Sequence, residues 1–199
     1  MIAELPIQLQ GSAVARGILK LTGWRLCFNG LPARQGVFVV YPHTSNVDFF
    51  FAILAKWAIG VPVTFWGKAS LFKLPLAGRW LRWLGGVPVD RASANGIVGH
   101  MARELAAARE QGRFLWLALS PEGTRHRSSA WRSGFYHVAH EARVPVGLVF
   151  LDYPRREVGV EHFLMLSGDK EADLAEIRQQ LAHRTGRHPE RAAPIRLNS

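Results

Sequence analysis

The sequence predicts a single α/β domain: a central, largely parallel mixed sheet flanked by helices and preceded by an amphipathic N-terminal helix. Three observations carry the expectation. Short apolar runs of strand length recur at residues 36–41, 113–119 and 146–151. Segments with helical spacing of apolar residues lie between them, the alternation from which parallel sheets are built. The chain has 199 residues, 48% of them hydrophobic and 20% charged, which supplies one full core and argues against disorder.

Element by element, residues 10–28 read as a helix with a mixed basic and apolar surface. A strand at 36–41, a helix at 46–59 and a short strand at 62–66 follow. Residues 70–84 form a basic aromatic helix, closed by Gly85-Gly86 ahead of the strand 87–89. Residues 95–111 are helical, with Ile97, Met101, Leu105 and Ala108 on one face and Gly112 as the stop. The strand 113–119, a helix at 131–143, strands at 146–151 and 157–166, and a charged helix at 169–184 complete the order. Three segments result: a helical N-terminal stretch 1–30 suited to a membrane interface, the main domain 31–185, and a loose tail 186–199. The tail carries three Arg and two Pro and few large apolar residues.

Lys and Arg outnumber Asp and Glu by 25 to 15, a net charge of +10. That balance implies an anionic partner: nucleic acid, anionic lipid, or a phosphorylated substrate or carrier. Residues 71–84 interleave Leu, Phe and Trp with Lys and Arg, a composition that suits a bilayer interface and equally a core helix with a solvated basic face. No apolar stretch reaches the ~18–20 residues of a membrane span. Residues 1–10 lack a basic start and a cleavage-site pattern, so no signal peptide is expected. Cys27 is alone, which removes internal disulfides and cysteine-rich metal sites. The expected location is cytoplasmic, peripheral on the inner face of the cell membrane.

The chemistry concentrates where strands end. His43 follows the first run and Pro42, and Asp48 comes five residues later. An imidazole takes a proton from a hydroxyl, and a carboxylate fixes its tautomer and stabilises the imidazolium. Ser45-Asn-Val-Asp48 also fits a helix capping box, and a first-turn carboxylate can serve both ends. Glu122-Gly-Thr-Arg125 follows the strand 113–119: Gly123 permits a tight turn, Thr124 offers a hydroxyl, and Arg125 a fork matched to phosphate oxygens. Arg127 and Arg132 add cations nearby. Asp90-Arg91 after the strand 87–89 reads as a loop-closing ion pair or an anion contact. Several classes fall away. There is no Gly-x-Ser-x-Gly elbow, no P-loop, no dinucleotide fingerprint and no nucleic-acid-binding signature, and His137-Val-Ala-His140-Glu141 matches no zinc helix. No metal is expected, and no nucleic acid.

Taken in order, His43 to Asp48, Gly86-Val-Pro-Val-Asp90-Arg91, Glu122-Gly-Thr-Arg125 and Val144-Pro-Val146 resemble the four blocks of the glycerolipid acyltransferase superfamily, typified by the lysophosphatidic acid acyltransferases. The likeness spans roughly residues 36–152. It implies transfer of a fatty acyl group from acyl-CoA or acyl carrier protein to the hydroxyl of a lyso-phospholipid such as 1-acyl-glycerol-3-phosphate, without cofactor or metal. His43 would be the general base and Asp48 its orienting acid. Glu122, Gly123, Thr124 and Arg125, helped by Arg91, would position the acceptor's phosphate, with Lys68 as a further candidate. Many family members carry an N-terminal membrane-spanning or re-entrant segment; here only the polar-interrupted residues 10–28 precede the core, so binding to an anionic membrane surface is expected through that stretch and residues 71–84. His126-Arg127-Ser-Ser-Ala-Trp131, beyond the third block, maps to no particular acceptor. Other readings stay open: another lipid or specialised-metabolite hydroxyl as acceptor, a hydrolase in which His43 activates water, or a non-catalytic lipid-binding module.

Overall fold

The computed structural model describes residues 1–89 and 94–198. Seven strands form one sheet in the order β1-β7-β6-β2-β5-β3-β4. These are β1 (Arg25–Phe28), β2 (Gln35–Tyr41), β3 (Val63–Lys68), β4 (Gly86–Val89), β5 (Leu115–Leu119), β6 (Val146–Asp152) and β7 (Glu157–Leu164). Five of the neighbouring pairs are parallel and only β6 with β7 is antiparallel. The expected architecture is therefore the observed one.

β2 is the axis of the sheet. It pairs with β6 on one side and β5 on the other, Val39 standing opposite both Leu148 and Leu119. Successive side chains point to opposite faces, so both faces must be covered. Val37, Val39 and Tyr41 face α5 (Ala94–Glu110), α6 (Gly134–Ala142) and α7 (Lys170–Leu181). Phe38 and Val40 face the opposite layer, where α1 (Ala13–Leu21) and α2 (Asn46–Ile59) pack. Each fully buried aliphatic side chain in these layers contributes roughly 1.5–3 kcal/mol by leaving water.

Three expectations are corrected. The helix read over 10–28 is α1 only to Leu21; Gly23 then takes φ +77°, and residues 25–28 form strand β1 beside β7. The left-handed glycine lets Trp24 N–H bond back to the Leu19 carbonyl at 2.8 Å, which ends the helix. The helix read over 70–84 is two: α3 (Ala69–Phe72) and α4 (Pro75–Trp83), because Pro75 has no N–H to continue the first and suits the first turn of the second.

The third correction is the tail. Residues 186–198 pack across the carboxyl ends of the central strands and against α7 rather than hanging free. Ala193 and Ile195 are buried, Leu197 bridges to Trp131, and the Arg178 guanidinium donates to the Ile195 carbonyl at 3.0 Å. The contacts are made mostly by backbone groups and small residues, which composition does not register. Among the described residues, no helix is long and apolar enough to cross a membrane.

Candidate functional site

The carboxyl ends of β6, β2 and β5 lie side by side, and each delivers one part of a site. Ligands gather at such ends because the loops that leave neighbouring parallel strands converge there. From β2 the chain turns at Pro42 and exposes the His43 imidazole, whose side chain is 18% accessible. α2 begins three residues later. Ser45 caps it, its Oγ accepting from Val47 N–H at 3.2 Å.

Asp48 reaches back from the first turn of α2. Its Oδ2 accepts from the backbone N–H groups of Thr44 at 2.7 Å and Ser45 at 2.8 Å, and lies 3.3 Å from His43 Nδ1. The imidazole nitrogen is buried and makes no hydrogen bond of ordinary geometry among the described residues. Asp48 thus serves both as cap and as imidazole partner, the dual role its spacing allows. Burial pushes its carboxyl up, but the close His43 contact and hydrogen bonds from Tyr153 and the Ser45 backbone outweigh that and hold it below the ordinary range.

Tyr153 was not legible as a site residue. It follows β6, and its hydroxyl donates to Asp48 Oδ1 at 2.7 Å. Burial, then the Asp48 contact, raise its phenol well above the usual value, so it stays a donor. The signal available in sequence was a polar residue just past a strand. What was missing was that β6 neighbours β2, which is a matter of topology.

The loop after β5 divides its labour. Glu122 does not face open solvent; it is 2% exposed, with Oε2 accepting from His43 N–H at 2.7 Å and Oε1 from Ala193 N–H at 3.0 Å. Burial pushes its carboxyl up to about 7 against the pull of those two N–H groups. Glu122 therefore ties the backbone of His43 to the C-terminal segment. Gly123 takes φ +65°, a conformation that L side chains rarely adopt, so the turn calls for glycine. Thr124 Oγ1 accepts from His126 N–H at 3.2 Å and shapes the turn. Arg125 is exposed and lines the cavity beside His43.

That cavity, about 1650 Å³, is larger than most small-molecule sites. His43, Asp48, Thr124 and Arg125 supply part of its polar lining. Phe38, Val40, Ile53, Ile59, Val63 and Val160 line an apolar floor between the sheet and α2. Lys68, at the end of β3, also borders it. Arg91 and its neighbour Asp90 lie outside the described residues. The lining thus combines an imidazole, many apolar side chains and several cations.

The family model for acyltransferases matches residues 26–149. The chain belongs to this acyltransferase family. No curated protein sequence matches it significantly. Its structure is similar to that of the 1-acyl-sn-glycerophosphate (LPA) acyltransferase PlsC from Thermotoga maritima, at 18% identity and a TM-score of 0.55, over 84% of this chain and 73% of that one. At that identity the likeness speaks for the fold. The family match takes in β1 to most of β6, and so includes His43, Asp48 and the Glu122 loop but not Tyr153 or the C-terminal segment. In this acyltransferase those last two elements complete the surroundings of the imidazole.

Proposed function

We propose that this acyltransferase moves a fatty acyl group from acyl-CoA or acyl carrier protein to the hydroxyl of a lyso-phospholipid such as 1-acyl-glycerol-3-phosphate. The observation that carries the reading is the His43–Asp48 contact at 3.3 Å, in the lining of a mostly apolar cavity of about 1650 Å³. Asp48 holds the proton of His43 on Nδ1, leaving Nε2 free to accept. Nε2 takes the proton of the acceptor hydroxyl as its oxygen attacks the thioester carbonyl carbon. The tetrahedral adduct collapses, the carbon–sulfur bond breaks, and the departing thiolate receives the proton from the imidazolium. Asp48 stabilises that imidazolium, and Tyr153 and the two backbone N–H groups keep Asp48 ionised and fixed. Arg125 meets the acceptor's phosphate, and Lys68 borders the same space.

The acceptor and the product are membrane lipids on this reading, and the surface supports a place at an anionic bilayer. Leu21, Leu76 and Trp83 are 88%, 83% and 72% exposed. The Trp83 ring of α4 lies 5.8 Å from that of Trp57 on α2, and Trp57's carbonyl accepts from Ser12 N–H at the start of α1. The test of the reaction is thiol release from acyl-CoA and from acyl carrier protein against a panel of lyso-lipids, with products identified by mass spectrometry. An esterified lipid is expected. Free fatty acid formed at the same rate with or without acceptor would make the protein a hydrolase instead.

A further inference from the structure

The C-terminal segment enters the cavity as well as bordering it. Arg187, His188 and Arg191 all line it, and all lie beyond the residues that the family model matches. Their placement is firmly built. Arg184 starts the segment, its Nη1 2.9 Å from Glu157 and its Nη2 3.1 Å from Glu161, with the guanidinium stacked 3.6 Å over the Phe150 ring. Thr185 then accepts from Tyr153 N–H at 2.9 Å. Gly186 passes so close to the residue after His43 that a Cβ there would meet Thr44 Oγ1 at 2.7 Å. His188 N–H donates to that same oxygen at 3.1 Å. Tyr41 Oη, donating at 3.1 Å to the Ala193 carbonyl, fixes the far end.

Arg187 is thus held between two anchored neighbours, on the β6 side of His43. Arg125 comes from the β5 side, two strand spacings away, on the order of 10 Å. The other arginine of the segment that lines the cavity is not free in the same way: Arg191 Nε lies 3.6 Å from Glu190. Arg187 makes no ion pair among the described residues. Its charge bears on the Tyr153 hydroxyl, partly offsetting the rise that burial and Asp48 impose there.

Which substrate brings an anion to this position follows from chemical connectivity. In a glycerol-3-phosphate-type acceptor the phosphate sits on the carbon next to the one bearing the reacting hydroxyl. In a phosphopantetheine thioester the whole pantetheine arm separates phosphate from sulfur. A cation anchored against the residue next to His43 therefore meets the acceptor's phosphate. A phosphate monoester carries close to two negative charges at neutral pH, and a phosphodiester one. Two guanidinium groups from opposite sides match the monoester.

We propose that Arg187, delivered by the C-terminal segment, is a second binding residue for the acceptor's phosphate and selects a phosphate-monoester lyso-lipid over phosphodiester or neutral acceptors. The inference rests on the acyl-transfer reading for its substrate class, but its test does not depend on turnover. Binding of a short-chain, water-soluble 1-acyl-glycerol-3-phosphate to the full chain is compared with that of the matching 1-acyl-glycerol and of a lyso-phosphodiester. The wild type should bind the monoester most tightly. Arg187→Ala should weaken the monoester by at least about tenfold, the size of one hydrogen bond to a charged group, and leave the neutral lipid unchanged. Arg187→Lys should recover part of the loss, and both variants should melt with the wild type. Equal binding by wild type and Arg187→Ala overturns the inference, as does an equal loss for all three lipids or a wild type indifferent to phosphate. If phosphate-dependent binding holds while no thioester is consumed, acyl transfer fails and the Arg187 site stands.

Discussion

Tyr153 touches the proposed chemistry only through Asp48, which makes it a positioning residue with a separable signature. Its hydroxyl is one of the groups that hold the Asp48 carboxyl low against burial. Tyr153→Phe removes that donor and little volume. The expected result is a fall in kcat of about tenfold, the scale of a hydrogen bond to a charged group, with the KM for donor and acceptor unchanged. A rise in acceptor KM with kcat intact would place Tyr153 on the substrate instead. The contrast with His43 and Asp48 is instructive at this scale. Those two are linked within one turn of chain, so spacing alone brought them together. Tyr153 stands 105 residues from Asp48, and only the order of strands joins them.

At the scale of elements, the loop after β5 and the C-terminal segment act as one clamp on the backbone of His43, and Glu122 is its pin. The group's pKa is raised by burial to about 7 from an ordinary 4.5. The folded chain therefore binds this proton more readily than the unfolded one, so Glu122's contribution is fully present below about pH 4.5 and is lost as pH rises through about 7. Asp48 is the charged neighbour that raises it further; held low itself, it contributes oppositely and only at more acid pH. Glu122→Gln leaves one of two backbone N–H groups facing an amide donor and should cost about 1–3 kcal/mol at pH 5. The deficit should shrink toward pH 8, as the wild type loses its advantage. Thermal melts across pH 5 to 8 check this; parallel curves for the two proteins would contradict it. Sequence placed the Glu122 loop at a strand end and named its glycine turn. That its carboxylate is taken up by backbone N–H groups was not legible, because one of them comes from Ala193, in a stretch whose Arg, Pro and scarce large apolar residues resemble a free tail.

At the scale of the whole molecule, charge and apolar surface are distributed together. Between residues 5 and 89 there are nine Lys and Arg and a single acid, Asp48, which is buried. That half carries α1, α2 and α4 with their exposed Leu, Phe and Trp side chains. Each cation near an anionic surface contributes about 1 kcal/mol, and the buried rings and aliphatic groups add the apolar part. The chain should float with anionic vesicles at low salt, release as salt is raised, and float less when Trp80 and Trp83 are both changed to Ser. A protein that stays in solution with anionic vesicles at low salt would contradict this. The α/β class, the parallel sheet and the position of both loops at strand ends were readable from the alternation of runs. The helix boundaries near Gly23 and Pro75 were visible as residues but were outweighed by the periodicity around them.

The central claim is that His43 is the base of an acyl transfer. The most direct measurement is the rate of lyso-lipid acylation by His43→Ala against wild type, at saturating thioester and acceptor, with folding checked by melting. Loss of a positioned base predicts a fall of about 10²–10⁴-fold with substrate binding retained; ester formation at the wild-type rate would contradict the account.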